Sequence, residues 1–356
     1  MKKKTTIIIV GILMGILFFT SGNAQDQKLA QTSFKFLSVV SDARAAAMAE
    51  AMTSLQIGSS ALFFNPAGMS EMDNFIDIAA SNNQWIADIK HYTVSMAVNP
   101  AKGNYGVLGF SLQYVDYGNF IGTRVSSDPL NPKGYDDVGI FKLYALALGV
   151  GYAKSITDQF SVGGQIRWAK QDLGQSVIPN QFQQVPIYAP NDTAHTSIIG
   201  YADSAVTTTN KLTPLVFDFG TQFKTGIKSL TFGMSVRNFS KEVQYVYEQF
   251  QLPLVFTLGI SMNLMDLIGE VPLNQSLYMS VDASHYRDHP EQLKIGVEYK
   301  VMNMLALRGG YITNSDESNG LSFGVGVTQF GFAFDYSYTP YGIFNNIQRM
   351  TARFSY

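Results

Sequence analysis

The 356-residue chain contains no cysteine, which excludes disulfide bonds, thiolate metal sites and a cysteine-linked lipid anchor. Charged residues make up only 15% of the chain, against about a quarter in ordinary soluble domains. Beyond residue 24 the sequence has no uninterrupted apolar run of about 18 residues, so no transmembrane helix is predicted there. These absences together do not fit a typical soluble secreted protein.

The first 24 residues have the pattern of a secretory signal peptide. Three lysines (2–4) precede an apolar run from Ile7 to Phe19, and Gly22 and Ala24 supply small residues at a cleavage site. We therefore predict a signal peptide over residues 1–24. Its removal would change the formal net charge from −2 to −5, because three lysines are lost (−2 minus 3). A mildly acidic exported chain is not expected to bind nucleic acid.

Aromatic residues and glycine are abundant, with 19 Tyr, 25 Phe and 31 Gly but only 2 Trp. Around residue 148, apolar side chains alternate with small ones, and a tyrosine stands at each end of the apolar face. Tyr144 and Tyr152 are eight residues apart, or roughly 20 Å along the membrane normal at a strand tilt of about 40°. That distance is close to the height of the apolar band of an outer-membrane barrel. A soluble sandwich also alternates, but its polar face usually carries more Lys and Glu.

The same alternation continues to the last residue and predicts an all-β, 14-stranded antiparallel transmembrane β-barrel over residues 75–356. The predicted strands are 75–84, 90–99, 105–116, 142–155, 160–171, 212–223, 229–238, 253–263, 276–285, 292–301, 304–313, 319–328, 330–339 and 347–356. The two longest connections, 117–141 and 172–211, fall on the same side, which is typical of external loops. The connection 264–275 is long enough to hold a short helix. Tyr356 supplies an aromatic end to the final strand.

Residues 25–74 differ from everything that follows and are predicted to form an N-terminal helical hatch inside the barrel. Alanine and methionine favour a helix, with one face formed by Ala45, Met48, Met52 and Leu55. Ser41 is predicted to cap this helix, and Asp42 suits its positive end. An amphipathic helix packed on the side of a soluble β-protein is the alternative.

A shaped turn is predicted after this helix, at Phe63–Gly68. Pro66 fixes its own φ and pushes Asn65 towards an extended conformation. Asn65 and Pro66 are therefore predicted to hold the hatch against the barrel wall, with a gating role as the alternative. Gly109, Gly149, Gly163 and Gly164 are predicted to allow close hatch packing or strand bends.

Three segments of the hatch resemble the PorV/PorQ family of outer-membrane proteins, a branch of the FadL-like barrel superfamily. They are Phe36–Leu37, Ser41–Met48 and Ala61–Gly68, and Ala47 and Ala49–Glu50 depart from the family pattern, which often has glycines there. The resemblance implies 14 strands, an N-terminal hatch and a role in the type IX secretion system as a partner of the translocon and its exported proteins. The hatch residues that it marks are Asp42, Arg44, Asn65, Pro66 and Gly68.

The barrel strands place several charged residues on the face predicted to line the lumen. They are Arg167, Asp218, Arg237, Asp282, Lys294, Glu298, Arg308, Asp335, Arg349 and Arg353. We predict that they form a polar network that holds the hatch, and the alternative is a charged constriction for a solute. We predict no catalytic residue, cofactor or metal site. His285 and His289 are four residues apart, but this spacing makes a ligand pair on a helix and not at a strand end.

The predicted function is that of a non-enzymatic interaction or shuttle component for protein secretion in the outer membrane. The alternative is a FadL-like channel for hydrophobic small molecules, and an outer-membrane enzyme is a weaker third hypothesis. The expected partners are outer-membrane lipid, together with either the secretion translocon and its exported proteins or a hydrophobic small molecule.

Overall fold

A computed structural model describes residues 32–125, 132–189, 193, 195–245, 248–268, 274–315, 319–342, 344 and 346–356. The predicted signal peptide lies outside the described residues, as do residues 25–31 of the predicted hatch. None of the described helices has the length and apolar character needed to cross a membrane. The described chain forms a closed antiparallel β-barrel whose lumen contains the N-terminal segment.

The barrel has fourteen strands, as predicted. They are β1 Ile76–Gln84, β2 Lys90–Val98, β3 Val107–Val125, β4 Tyr135–Ser155, β5 Phe160–Tyr188, β6 in two segments (Ile198–Leu212 and Leu215–Lys224), β7 Thr231–Phe239, β8 Val255–Asn263, β9 Ser276–Tyr286, β10 Gln292–Val301, β11 Leu305–Ile312, β12 Leu321–Gln329, β13 Phe332–Thr339 and β14 Ile347–Ser355. Each strand pairs with its sequence neighbours, and β1 pairs with β14 from Asp77↔Ser355 to Gln84↔Gln348, which closes the ring.

The sixth strand is interrupted by a proline. Both of its segments pair with β5, so they occupy one position in the ring. Between them, Ala169 donates its backbone N–H to the Pro214 carbonyl. Pro214 itself has no N–H to donate, which accounts for the break in the ladder. A small hairpin with two residues in each strand, Val243–Gln244 and Gln249–Phe250, lies in the connection between β7 and β8.

The two faces of the barrel wall differ sharply in exposure. On β4, Leu148 and Val150 are 46% and 55% exposed, whereas Ala145 and Ala153 are fully buried on the lumen side. Similar apolar side chains face outward on the other strands. Lipid is the solvent that such a continuous apolar belt requires, because a soluble sandwich would bury these residues between two sheets. The protein is therefore a multi-pass β-barrel of the outer membrane.

A row of tyrosines borders this belt. Tyr92, Tyr114 and Tyr144 lie on adjacent strands, with ring centroids 6.3 and 6.4 Å apart. Tyrosine rings of this kind place an apolar body in lipid and a hydroxyl group in water, which is typical of an aromatic girdle. The row marks the membrane boundary on the side of the long connections, which we call the external end.

The prediction that residues 117–141 and 172–211 form external loops is wrong. Strand pairing runs to Val125 and Tyr135 in one and to Tyr188 and Ile198 in the other. Pairing between β4 and β5 ends at Tyr144↔Asp172, so β3–β4 and β5–β6 continue outward as two separate hairpins. Register shifts in both hairpins disturb the period of two, which hid these strands from sequence reasoning.

The hatch helix is much shorter than predicted. It spans Ala43–Ala47, and its cap is Asp42 rather than Ser41, because the Asp42 carboxylate accepts from the Ala45 N–H at 2.9 Å. The helix cannot continue, since Ala49 and Glu50 have φ values of 53° and 65°. This left-handed region favours glycine over residues with a side chain. The rest of the hatch contains 3₁₀ turns at Lys35–Ser38, Gly58–Phe63 and Pro66–Met69, and Leu264–Leu267 forms a 3₁₀ turn within the predicted connection.

The hatch passes through the lumen from the external end to the opposite end. At the external end, Ser33 donates its N–H to the Gln251 carbonyl. At the other end, Ile76 begins β1 and pairs with Tyr356. Between them the hatch buries its apolar side chains against the lumen wall, chiefly Met48, Met52, Leu62 and Met69. Helix packing on the outside of a soluble protein, the alternative considered above, is therefore excluded.

A lysine in place of Leu148 should impair assembly. Leu148 lies midway between the two tyrosines of β4, so its replacement would place a charge near the bilayer midplane, at a cost of about 2–4 kcal/mol. We expect Leu148→Lys to fold poorly into lipid vesicles, measured by heat-sensitive migration in gels and by urea titration.

Ile140→Lys is the matched control. Ile140 lies on the same strand and is 68% exposed, but it is beyond Tyr144 and so outside the belt. If Leu148→Lys and Ile140→Lys reduce folding into vesicles equally, the lipid-facing belt does not end at Tyr144.

Candidate functional site

The Asn65–Gly68 turn is held by backbone contacts on both sides. The Asn65 amide donates to the carbonyls of Thr53 (2.7 Å) in the hatch and Thr221 (3.0 Å) in β6, and its oxygen accepts from the Ala67 N–H at 3.1 Å. Pro66 occupies the first position of the following 3₁₀ turn. The Gly68 carbonyl accepts from the Ile57 N–H, and a Cβ on Gly68 would lie 2.8 Å from the Leu55 carbonyl oxygen.

Asp42 ties two parts of the hatch together. Besides capping the helix, its carboxylate accepts from the Ser60 hydroxyl at 2.8 Å. The same hydroxyl accepts from Arg353 of β14 at 2.7 Å, and the Arg353 guanidinium is 3.7 Å from the Asp42 carboxylate. Asp42 and Arg353, both singled out from the sequence, are therefore brought together by the structure.

A chain of four charged residues joins the hatch to three strands. Arg44 donates two hydrogen bonds of 2.8 Å to Glu298 on β10, which also accepts from Arg308 on β11 at 2.5 Å. Arg308 in turn donates to Asp335 on β13 at 2.6 Å. A bidentate guanidinium–carboxylate pair is strong and directional. This chain fixes the angle at which the hatch helix meets the wall.

A second buried cluster lies across the β5–β7 wall. Arg167 donates to Asp218 (2.8 Å) and to Asn238 (2.6 Å), and the Asn238 backbone N–H donates to Asp218 at 2.8 Å. The register shifts here, between Phe217 and Phe219. Unlike the chain of four charged residues, this cluster links three barrel strands to one another and does not include the hatch.

Three further lumen residues contact the hatch backbone rather than a charge. Arg237 donates to the Phe63 carbonyl, and Asp282 accepts from the Thr53 N–H at 3.0 Å. Arg349 donates to the Val40 carbonyl at 2.9 Å, and Asn83 donates to the same carbonyl at 3.1 Å. We call these two bonds the Val40 clamp. Because they meet at one oxygen atom, they hold this part of the hatch against β1 and β14.

Glycines on the wall allow the hatch to approach it closely. Nine strands each present one glycine on which a Cβ would lie within 3.0 Å of a hatch atom: Gly109, Gly151, Gly163, Gly220, Gly233, Gly259, Gly296, Gly310 and Gly324. We call them the glycine ring. Of the four glycines predicted from sequence, Gly109 and Gly163 belong to it. Gly149 approaches Gln165 and Ser111 instead, and Gly164 approaches Phe219.

A cavity of about 330 Å³ lies between the external face of the hatch and the external turns of the barrel. Val40, Ala46 and Glu50 of the hatch line it, and the wall contributes aromatic rings and Arg349. The rings are Trp85, Tyr286 and Tyr341. Trp85 lies 5.3 Å from Tyr341 and 5.6 Å from the Arg349 guanidinium. Beneath the Val40 segment, a second cavity of only about 20 Å³ has room for about one water molecule.

The start of the described chain crosses the rim of this cavity. Lys35 and Thr32 both donate to the Asp288 carboxylate in the β9–β10 turn. Burial raises the pKa of Asp288, but polar contacts with His289, Lys35 and Thr32 outweigh burial and hold the pKa well below its usual value. Asp288 therefore stays ionised over the physiological pH range.

Sequence reasoning missed several of these contacts. Glu50 pairs with Lys294 at 2.5 Å, and Asp77 accepts from the Ser59 N–H at 2.7 Å. Glu50 lies in the segment predicted as helix and Asp77 near the start of a predicted strand, and neither position by itself indicates a partner. Trp85 gave no signal because it occupies a short turn. The cavity joins residues that are up to 314 positions apart (349 minus 35), and neither period nor spacing reveals it.

Comparison with protein-family models and with curated proteins gives no match. Solved structures do share the fold. The Ralstonia pickettii toluene transporter TbuX aligns with a TM-score of 0.53 and 12% identity over 88% of this chain and 98% of that chain. The CymD monoaromatic hydrocarbon channel gives 0.55, 11%, 89% and 97%, and the Pseudomonas putida toluene transporter TodX gives 0.54, 13%, 88% and 96%.

At these identities the likeness shows the fold. The chain has the barrel fold of these three proteins, and none of the three supports the PorV/PorQ resemblance of the hatch in particular.

Gly310→Ala should destabilise the hatch. Its Cβ would lie 2.4 Å from the Ala49 nitrogen, so either the hatch or β11 must move, at a cost of about 1–3 kcal/mol. We expect a lower urea midpoint and faster proteolysis of the hatch in the folded barrel.

Gly309→Ala is the neighbouring control, since a Cβ there would meet no atom within 4 Å. If Gly310→Ala behaves like Gly309→Ala, the close approach of hatch and wall is not a constraint on stability.

Proposed function

We propose that the protein is a non-enzymatic channel that takes up small hydrophobic molecules from the external end of its lumen. The observation that carries this proposal is the 330 Å³ cavity with three aromatic rings above the hatch. Its volume is at the small end of the range for ligand sites, and aromatic linings are common in such sites. Two solved proteins of this fold are described as toluene transporters and one as a monoaromatic hydrocarbon channel, which supports the ligand class.

Passage through the lumen requires the hatch to move, because most of its described apolar side chains are buried against the wall and the cavity beneath the Val40 segment holds only about 20 Å³. Apart from its peptide link to β1, the hatch contacts the wall through hydrogen bonds, ion pairs and apolar packing. Water can replace the polar contacts one at a time, whereas the paired strands of the wall have to stay closed in lipid. We propose that release of the Val40 clamp is the first step in opening.

Trp85→Ala should reduce the uptake of toluene. Removing one of three rings exposes ligand surface to water, and we expect the affinity to fall roughly tenfold. The measurement is toluene uptake by cells whose own channels for aromatic hydrocarbons have been deleted, with expression of each variant quantified.

Trp168→Ala serves as the control, because the other tryptophan of the chain faces outward and is 40% exposed. The proposal fails if the wild-type protein gives no uptake above that of empty cells.

A second candidate function is a PorV-like role in type IX secretion, with the external surface as the docking site for the translocon or exported proteins. A specific feature favours it. The β3–β4 hairpin projects beyond the tyrosine girdle and pairs Ile121 with Ile140, which are 75% and 68% exposed. Exposed apolar patches outside the lipid belt are typical of surfaces that bind other proteins.

Under this second candidate, Ile121→Ser combined with Ile140→Ser should lower the amount of type IX cargo at the cell surface several-fold. The reason is loss of apolar contact area without a change in the barrel. Thr123→Lys on the same hairpin is the control, since it changes an exposed polar side chain and leaves both isoleucines. Normal cargo levels in the double variant, at normal barrel levels, would remove this candidate.

A further inference from the structure

The charged groups around the external cavity do not balance locally. Its two carboxylates each have a cationic partner: Glu50 pairs with Lys294 at 2.5 Å, and Asp288 pairs with Lys35. Arg349 is different. Among the described residues, no carboxylate oxygen lies within the 4.0 Å ion-pair distance of its guanidinium. When Lys294 behind the lining is counted, the described residues around the cavity include three cations and two carboxylates, and Arg349 interacts with Glu50 only at longer range than an ion pair.

Arg349 is also well buried, with 4% of its surface exposed. Two of its N–H groups are used by neutral acceptors, the Val40 carbonyl at 2.9 Å and the Thr339 hydroxyl at 3.0 Å. A guanidinium has five N–H donors in a planar fork, so donors remain for another acceptor. A buried charge without a counter-charge in direct contact is costly, and an anion that enters the cavity would offset that cost.

The surroundings of Arg349 define the rest of the ligand. The Trp85 ring stands 5.6 Å from the guanidinium, and Tyr341 packs edge-on against Trp85 at 5.3 Å. An acidic group on Arg349 would therefore place an attached flat apolar body beside these rings. A volume of 330 Å³ suits a small molecule of this kind. A carboxylate matches the guanidinium fork in geometry and supplies the single negative charge that is needed.

We propose that the cavity binds a small aromatic carboxylate, with its acidic group on Arg349 and its ring against Trp85 and Tyr341. This inference rests on the proposed uptake function and refines its ligand class from small hydrophobic molecules to small aromatic acids.

The test compares two ligands of nearly the same shape, benzoate and toluene, at neutral pH. Trp168→Phe leaves Trp85 as the single tryptophan of the full-length protein, so its fluorescence reports on the cavity alone. We expect benzoate to bind at least about tenfold more tightly than toluene, since hydrogen bonds to charged groups exceed those between neutral groups. Arg349→Gln in the same background should abolish this preference.

Arg349 also belongs to the Val40 clamp, so its replacement could act by loosening the hatch. Asn83→Ala separates the two effects, because it removes the other bond to the Val40 carbonyl and leaves the charge in place. We expect the benzoate preference to survive in Asn83→Ala. If it is lost there as fully as in Arg349→Gln, hatch position and not charge decides binding, and the inference is overturned.

The remaining outcomes separate this inference from the function on which it rests. If toluene binds as tightly as benzoate or more tightly, the cavity selects neutral ligands, and the inference fails while the uptake proposal stands. If both measurements are negative for both ligands, with no change in Trp85 fluorescence and no retention in equilibrium dialysis, both the inference and the uptake proposal fail.

Discussion

The hydrocarbon interior of a membrane offers no partner for a backbone N–H or C=O group, and this constraint shapes the whole molecule. Every strand must be paired on both edges, so the sheet has to return to its first strand. The register between β1 and β14, from Asp77↔Ser355 onward, completes that return. Closure leaves an interior shielded from lipid, and the polar faces of the strands turn towards it. The hatch, its anchors and the external cavity all exist inside the space that closure creates.

The fit between hatch and wall combines steric and electrostatic terms. The glycine ring lets the hatch approach the wall closely, with hatch backbone atoms nearest at Gly163, Gly233, Gly296 and Gly310 and hatch side chains at the other five. Charges fix its position within that fit. Arg44 alone would be costly inside a barrel, but its bidentate contact with Glu298, continued through Arg308 to Asp335, compensates each charge. Removing any one member would take at least one ion pair from its neighbours, so the four charges are coupled.

Much of the barrel could be predicted from the sequence, because the alternation of residues such as Leu148 and Ala147 depends only on the geometry of a single strand. The boundaries failed where bulges disturb that period, as near Gly139. The length of the hatch helix was overestimated, because the helix propensity of alanine and methionine does not reveal that Ala49 and Glu50 adopt positive φ. Inward-facing residues such as Arg308 and Asp335 could be identified, but their partners could not. Which charges meet depends on how a segment without period lies in a curved lumen.

The path of the N-terminal segment has a consequence for biogenesis. Ser33 is bonded to Gln251 at one mouth of the cylinder, and Ile76 joins the wall at the other, so the intervening chain occupies the bore along its length. The final seam joins residues such as Asp77 and Ser355, which lie 278 positions apart and meet late by chain-entropy arguments. If β1 and β14 pair only after the hatch occupies the lumen, no folded segment has to enter a barrel that is already closed. Insertion of the first strands and seating of the plug are then parts of one event.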